Sequence, residues 1–287
     1  MKPAALNPSI VTVVAALRKA LHDLKLTSPT PCLDAEVLVM HVCGLDRRHL
    51  ITRDQMALTG DQQLKLERLL ERRKQGEPVA YLIGMREFWS MELYVSPATL
   101  IPRPETELLV EKALEQIPLA AECTIADLGT GSGAIALALA KERPRCRVIA
   151  TDISPMALKV ANTNGKISGL THIEFRVGDW FAPLAGETLD IIVSNPPYVR
   201  ADDVHLQQGD VRFEPAIALV SGKDGLEAIR RLAENAWKFL RPNGWLMFEH
   251  GLDQAGAIEE LLHHHGYRDI VFHQDLAGHT RVATCHR

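Results

Sequence analysis

The 287-residue sequence predicts an α/β fold: a mostly parallel sheet with an antiparallel edge strand, plus a small N-terminal all-helical domain joined by a β-hairpin. Three observations predict it. Beyond residue 120, short apolar strands alternate with helix-length segments, an order that covers a parallel sheet with helices on both faces. The first ~80 residues carry helical periodicity alone. Between these regions, aromatic and β-branched residues cluster around short breaks, the mark of a hairpin.

Taken in order, Val11, Val14, Leu17, Leu21 and Leu24 recur at helical spacing, and Leu33, Val37, Met40 and Val42 do so approximately. Thr27-Ser28-Pro29-Thr30-Pro31 separates the two helices as a turn, with Pro31 able to open the second. A third helix is expected from Thr59 or Gly60 to Gly76, with Leu64, Leu66, Leu69 and Leu70 on one side and Glu71-Arg72-Arg73-Lys74 as a basic end, read as solvated in preference to a partner-binding patch. Phe88 to Val95 reads as the hairpin, and a helix through about Glu115 follows Ile101-Pro102-Arg103-Pro104-Glu105-Thr106-Glu107. Strands are expected at Thr124–Leu128, Arg147–Thr151, Ile173–Val177, Leu189–Val193 and Trp245–Glu249. Helices are expected at Ser132–Glu142, Pro155–Ser168 with Ser154 as cap, Gly225–Leu240 and Asp253–His265. Ile270–His273 and Arg281–Thr284 close the chain as strands with no helix between them, so one edge strand is expected to be antiparallel. The implied domains are residues 1–77, helical; 78–100, a hairpin linker; and 101–287, the α/β part.

Composition limits the function. Hydrophobic content of 46% and charged content of 24% are globular values, which excludes a largely disordered chain. No apolar run reaches the ~18 residues of a spanning helix, and Met1–Lys19 lacks the pattern of a secretory leader. Cys32, Cys43, Cys123, Cys146 and Cys285 form no Cys-x-x-Cys pair, which argues against a disulfide framework or zinc site and for reduced thiols in the cytoplasm. Residues 1–90 hold 13 basic against 10 acidic side chains, and residues 91–287 hold 19 against 26. Neither part has the basic excess of a general nucleic-acid binder.

The sharpest motif is Asp127-Leu128-Gly129-Thr130-Gly131-Ser132-Gly133, between the first strand of the α/β part and its helix. Glycines there permit a tight turn and close approach of a ligand to backbone at a helix N-terminus. Asp152 ends the next strand, where a carboxylate can accept from the two ribose hydroxyls of an adenosine. These residues alone leave the nucleotide open, because Gly131 to Ala136 also fits the G-x-G-x-x-A dinucleotide pattern. Asp179 and Trp180 follow the third strand, where an acid can bond an adenine amino group and an aromatic can stack on the ring. Asn195-Pro196-Pro197-Tyr198 ends the fourth strand. Two prolines without N–H groups leave the preceding carbonyls rigid and free to accept, Asn195 adds a side-chain oxygen, and Tyr198 adds an aromatic wall. Such a cluster can clamp a planar –NH2 group. His263-His264-His265 point about 100° apart on a helix and cannot chelate one ion together. His250, beside Glu249, could line the pocket or be structural.

The glycine loop, the acid after the second strand and Asn-Pro-Pro-Tyr after the fourth together resemble Rossmann-like class I methyltransferases that use S-adenosylmethionine on planar nitrogens. More closely, the chain resembles the release factor glutamine methyltransferases over about residues 78–285. The likeness includes Ala80 to Gly84, Leu100 to Glu107, Phe213-Glu214-Pro215 and Asp224-Gly225-Leu226. It implies a cytoplasmic enzyme that methylates the side-chain amide of glutamine in the Gly-Gly-Gln motif of class 1 peptide-chain release factors, without a metal and releasing S-adenosylhomocysteine. By that resemblance, Gly129, Thr130, Gly131, Ser132, Gly133, Asp152, Asp179, Trp180 and Asn195 bind the methyl donor. The Asn195 side-chain oxygen and the Pro196 carbonyl accept the two amide N–H bonds, Pro197 and Tyr198 wall the amide, and Arg103 is an added substrate contact. The helical domain is expected to grip the release factor, with no nucleic-acid or membrane partner. Three other readings remain open: an adenine or cytosine amino methyltransferase, which would need a basic channel; an NAD-dependent oxidoreductase, which leaves Asn195–Tyr198 unused; and a silent binding protein.

Overall fold

The computed structural model describes residues 11–287. Residues 1–10, the start of the stretch read for a leader, lie outside it. The chain divides into two compact units, up to Gly84 and from Met85 onward.

The first unit is helical among the described residues: α1 (Val13–Leu24), α2 (Pro31–Cys43), α3 (Arg47–Thr52), α4 (Gly60–Lys74) and α5 (Val79–Ile83). Pro31 opens α2, whose end is closed by Gly44 at φ 64°. Thr59 and Gln62 form a reciprocal capping box on α4, with Gln62 N donating to Thr59 Oγ1 at 3.2 Å and Thr59 N to Gln62 Oε1 at 2.9 Å. The buried stripe of α1 is Val13, Ala16, Ala20 and Leu24; of the expected Val11, Val14, Leu17, Leu21 and Leu24, Leu24 lies on it and Leu21 is exposed. Ala16 and Ala20 belong to the buried helical core, which a count of large apolar residues overlooks. Leu64 is likewise exposed, being two residues, and so about half a turn, from Leu66. The expectation of a solvated basic end fails at Arg73, which is only 3% exposed and donates from Nε to Asp34 Oδ2 at 2.6 Å. Val79–Ile83 is helical, so extended structure begins only at Met85.

The second unit opens with a hairpin, β1 (Met85–Phe88) and β2 (Met91–Tyr94), in the register Phe88↔Met91. Its two loop residues, Trp89 and Ser90, both have positive φ, the geometry of a tight primed turn. Neither is glycine, and side-chain acceptors offset the strain: Trp89 N donates to Glu107 Oε1 and Ser90 N to Glu87 Oε1, each at 2.7 Å. A 3-10 turn at Pro104–Thr106 leads into α6 (Glu107–Glu115). Then strands and helices alternate: β3 (Thr124–Leu128), α7 (Ala134–Glu142), β4 (Arg147–Asp152), α8 (Pro155–Ile167), β5 (Glu174–Val177), β6 (Leu189–Ser194), α9 (Glu227–Phe239), β7 (Leu240–Glu249), α10 (Ala255–His264), β8 (Arg268–Gln274) and β9 (Thr280–His286).

The seven strands lie in the order β5-β4-β3-β6-β7-β9-β8. β5 through β7 run parallel, and β9 pairs antiparallel with both β7 and β8. The edge strand β8 therefore has the expected antiparallel pairing, while the strand that runs against the rest is β9, one position inside it. Successive residues serve opposite faces: Ile125, Ile191 and Val193 join the core with α6, α7 and the hairpin, and Ala126, Leu128 and Ile192 join the core with α9 and α10. Strand order reverses between β3 and β6, the switch point at whose carboxyl ends open α/β sheets hold ligands. No helix among the described residues is long and apolar enough to cross a membrane.

Candidate active site

The loop after β3 is built from three glycines with φ of 71°, 55° and 85° at Gly129, Gly131 and Gly133. A Cβ on Gly129 or Gly131 would meet nothing within 4 Å, so backbone conformation demands glycine there and leaves an open cradle. At Gly133 a Cβ would lie 3.1 Å from Ala161 Cβ, where α8 packs against the start of α7. Asp127 holds the loop from beneath: its Oδ2 accepts from Thr130 Oγ1 at 2.6 Å and from Ala136 N at 3.2 Å. It is fully buried, its Oδ1 has no partner, and burial pushes the carboxyl up to about 7. Asp152, at the end of β4, accepts from Gly131 N at 2.9 Å and Ser154 N at 2.8 Å, and burial raises its carboxyl too. Each of its oxygens keeps a lone pair for a further donor.

The loop after β6 is braced by side chains from three other segments, at Thr106, Glu249 and Gln254. Ser194 Oγ donates to Leu128 O at 2.8 Å, locking the ends of β6 and β3 together. Asn195 Nδ2 donates to Thr106 Oγ1 at 3.2 Å, Thr106 Oγ1 donates to Glu249 Oε2 at 2.6 Å, and Tyr198 Oη donates to Glu249 Oε1 at 2.9 Å. Burial raises the Glu249 carboxyl, and burial together with the nearby Glu249 charge raises the Tyr198 phenol. Gln254 Nε2 donates to Tyr198 O at 3.0 Å and to Gly225 O at 3.2 Å. Gly225 has φ 77°, and a Cβ there would fall 2.4 Å from Tyr198 O. The Asp224-Gly225-Leu226 motif thus owes its glycine to close approach beneath the Asn-Pro-Pro-Tyr turn. Glu214, with no exposed side-chain surface, pairs with Arg103 and accepts from Ile101 N at 3.2 Å. That pair ties Phe213-Glu214-Pro215 to Ile101-Pro102-Arg103.

These loops enclose a cavity of about 380 Å³, the size of a small-molecule site. Its walls bring together Gly129, Thr130, Gly131, Ser132, Asp152, Asp179, Trp180, Asn195, Pro196, Pro197 and Arg103. Gly133 and Tyr198 are not on the wall: Gly133 caps α7, and the Tyr198 hydroxyl is turned to Glu249. Asp179 is ion-paired with Arg231, whose guanidinium lies 5.8 Å from the centre of the Trp180 ring.

Comparison with known proteins gives the chain a family. The family model of the PrmC N-terminal domain matches residues 15–84, and that of the methyltransferase small domain matches residues 104–220. A release factor glutamine methyltransferase of Xylella fastidiosa (strain Temecula1) is 52% identical over 96% of this chain and 97% of its own length. The protein of the same name from Escherichia coli K12 is 47% identical over 93% and 95%. The chain belongs to the release factor glutamine methyltransferase family. Among solved structures, a Pyrococcus furiosus methyltransferase aligns with a TM-score of 0.52 at 18% identity, covering 79% of this chain and 98% of that one. The ribosomal protein L11 methylase of Lactobacillus delbrueckii gives 0.51 at 22%, covering 67% and 83%. At such identities the likeness speaks to the class I methyltransferase fold alone.

Within the family frame, Thr106, Glu249, Glu214 and Arg231 join the site, although the sequence had marked none of them as functional. A signal existed for two: Thr106 sits inside Ile-Pro-Arg-Pro-Glu-Thr-Glu, and Glu214 inside Phe-Glu-Pro. Glu249 offered only an acid at the end of an apolar strand. His250 takes the structural alternative: it is buried, off the cavity wall, with Nδ1 2.8 Å from Gly251 O and its protonation disfavoured by burial. Among the described residues, no group of three or more His, Cys, Asp or Glu side chains is arranged to hold a metal ion.

Proposed function

We propose that this chain methylates the side-chain amide nitrogen of the glutamine in the Gly-Gly-Gln motif of class 1 peptide-chain release factors, with S-adenosylmethionine as donor. The observation that carries the reading is one cavity walled both by the glycine loop with Asp152 and by Asn195-Pro196. The first fits the adenosine part of the donor and the second a planar amide.

The residues suit that donor. Gly129 and Gly131 leave open space over bare backbone, Asp152 has lone pairs to spare for ribose hydroxyls, and Trp180 offers an aromatic surface on the same wall. When bound, S-adenosylmethionine supplies an electrophilic methyl on a sulfonium with its own leaving group. An amide nitrogen is a poor nucleophile because its lone pair is delocalised into the carbonyl. Asn195 Oδ1 and the Pro196 carbonyl, as fixed acceptors for the two N–H bonds, hold the amide in line and favour localisation of that lone pair. Tyr198 supports this arrangement from behind, through Glu249. No side chain need act as a strong base before transfer, since the proton can leave the more acidic N-methylated species. In this reading Arg103, held by Glu214 on the cavity wall, meets the incoming loop. The first unit serves to recognise the release factor, and the activity belongs in the cytoplasm, where translation factors work.

Labelled S-adenosylmethionine, incubated with the protein and either a purified release factor or double-stranded DNA, tests the reading once mass spectrometry locates the methyl. Label on the Gly-Gly-Gln glutamine, lost in Asn195→Ala, is expected. Label on adenine instead would keep the clamp and overturn the substrate.

A further inference from the structure

We propose that Glu249 is a positioning residue that decides which atom of the Asn195 side-chain amide faces the substrate. The proposal rests on the reading of Asn195 as an acceptor for the substrate –NH2.

The argument is one of hydrogen-bond polarity. Two hydroxyls reach the buried Glu249 carboxyl, Thr106 Oγ1 at 2.6 Å on one oxygen and Tyr198 Oη at 2.9 Å on the other. A separation of 2.6 Å is that of an O–H donor to a carboxylate. Burial raises the Glu249 carboxyl, but two hydroxyls donating to it and the nearby Arg281 charge favour its ionised form, which can only accept, so each hydroxyl spends its single proton on Glu249. Thr106 Oγ1 then has lone pairs alone to offer Asn195, and the atom 3.2 Å away must be the donor Nδ2. Oδ1 is thereby assigned to the cavity side, where it can accept from a substrate amide. Were Thr106 to keep its proton for Asn195, the Asn195 amide would turn over and present –NH2 to –NH2. Thr106 and Glu249 lie 143 residues apart in sequence, so this chain of polarity exists only in the fold. Glu249 touches neither reacting partner; it acts through Thr106 on Asn195.

Replacement by an amide keeps shape and removes the imposed polarity. In E249Q the new –NH2 can donate to Thr106 and free the Thr106 proton for Asn195. We expect kcat on the release factor to fall about 100-fold, with KM and the S-adenosylmethionine Kd changed less than about threefold. N195D places a second acceptor next to Thr106 and also lowers kcat. The decisive variant is the double N195D/E249Q: the amide now donates to Thr106, Thr106 donates to the introduced carboxylate, and an oxygen again faces the substrate. It is expected to be about tenfold faster than N195D alone. A double variant equal to or slower than N195D would overturn the proposal, because a merely structural glutamate predicts compounded loss. Should E249Q fail to fold, judged by thermal melting and cofactor binding, the pair T106V and T106S decides. T106V should lose kcat, and T106S should regain about tenfold of it; equal loss in both counts against the chain. If the wild type leaves glutamine unmodified, the substrate reading fails, and neutron diffraction on deuterium-exchanged crystals of the wild type still tests this one. A Thr106 deuteron on the Glu249 side supports it, and one on the Asn195 side overturns it.

Discussion

Asp127 is fully buried and carries an oxygen with no partner, which sets a pH dependence of stability with a definite sign. Its folded carboxyl sits at about 7, against about 3.9 in an unfolded chain. Between those values the folded state holds the extra proton, so stability falls as pH rises from about 4 to about 7, by at most about 1.4 kcal/mol per pH unit from this group. Urea unfolding at pH 5 and pH 7.5 should show the wild type losing a few kcal/mol relative to Asp127→Asn, which keeps an acceptor for Thr130 and Ala136 but cannot ionise. Equal pH slopes in the two proteins would remove Asp127 as the source. Gly131 answers to a different constraint. At φ 55° an added Cβ strains the backbone by about 1–2 kcal/mol and projects into the open cradle. Gly131→Ala should therefore weaken S-adenosylmethionine binding by about tenfold or more in calorimetry, while the melting temperature falls by only a few degrees. These residues were legible in the sequence because their chemistry is local: a glycine turn and an Asn-Pro-Pro-Tyr turn each declare themselves within a handful of positions. Thr106 and Glu214 showed only as members of motifs and Glu249 only as an acid ending a strand, since each acquires its role from a partner more than fifty residues away.

At the scale of elements, the strands and long helices of the second unit were legible because apolar runs and helix-length segments alternate without ambiguity. The helices of six and five residues, α3 and α5, are shorter than the window in which periodicity can be counted. The buried side of α1 was read only in part for a related reason: Leu24 is buried as expected, but Ala16 and Ala20 share that side and attract less notice than leucines. The most consequential misreading concerns Arg73. Its ion pair with Asp34 lies within the helical core, and Ser28 Oγ at 2.6 Å and Thr30 Oγ1 at 3.0 Å add two more donors to that carboxylate. Removing one partner leaves the other buried and uncompensated, a loss of about 3–5 kcal/mol. Arg73→Ala should accordingly lower the denaturation midpoint of the first unit and expose it to limited proteolysis. Arg73→Met combined with Asp34→Leu, which removes both charges and fills the space, should cost much less. If the double change proves at least as damaging as Arg73→Ala, the pair contributes something other than charge compensation, such as the register of α4 against α2.

The whole molecule poses the question of why a complete methyl-transfer cavity comes with a helical unit at all. Every described residue on the cavity wall falls between Ala98 and Arg231, so among the described residues the chemistry draws its side chains from the second unit. The first unit is then expected to act on affinity for a large partner and not on the transfer step. Its charge balance supports a separate role, being basic on balance where residues 91–287 carry 19 basic against 26 acidic side chains. Deleting residues 1–84 should raise KM for an intact release factor by about tenfold or more, because contacts outside the glutamine loop supply most of the binding energy for a protein substrate. A short peptide containing Gly-Gly-Gln reaches only the cavity, so its KM and kcat should change by less than about threefold. An unchanged Kd for S-adenosylmethionine would show that the second unit remains folded in the truncated chain, which separates lost recognition from lost structure. Equal effects on protein and peptide would assign the helical unit to support of the catalytic fold instead, and recognition of the release factor would then fall to the rim around Arg103 and Ile217.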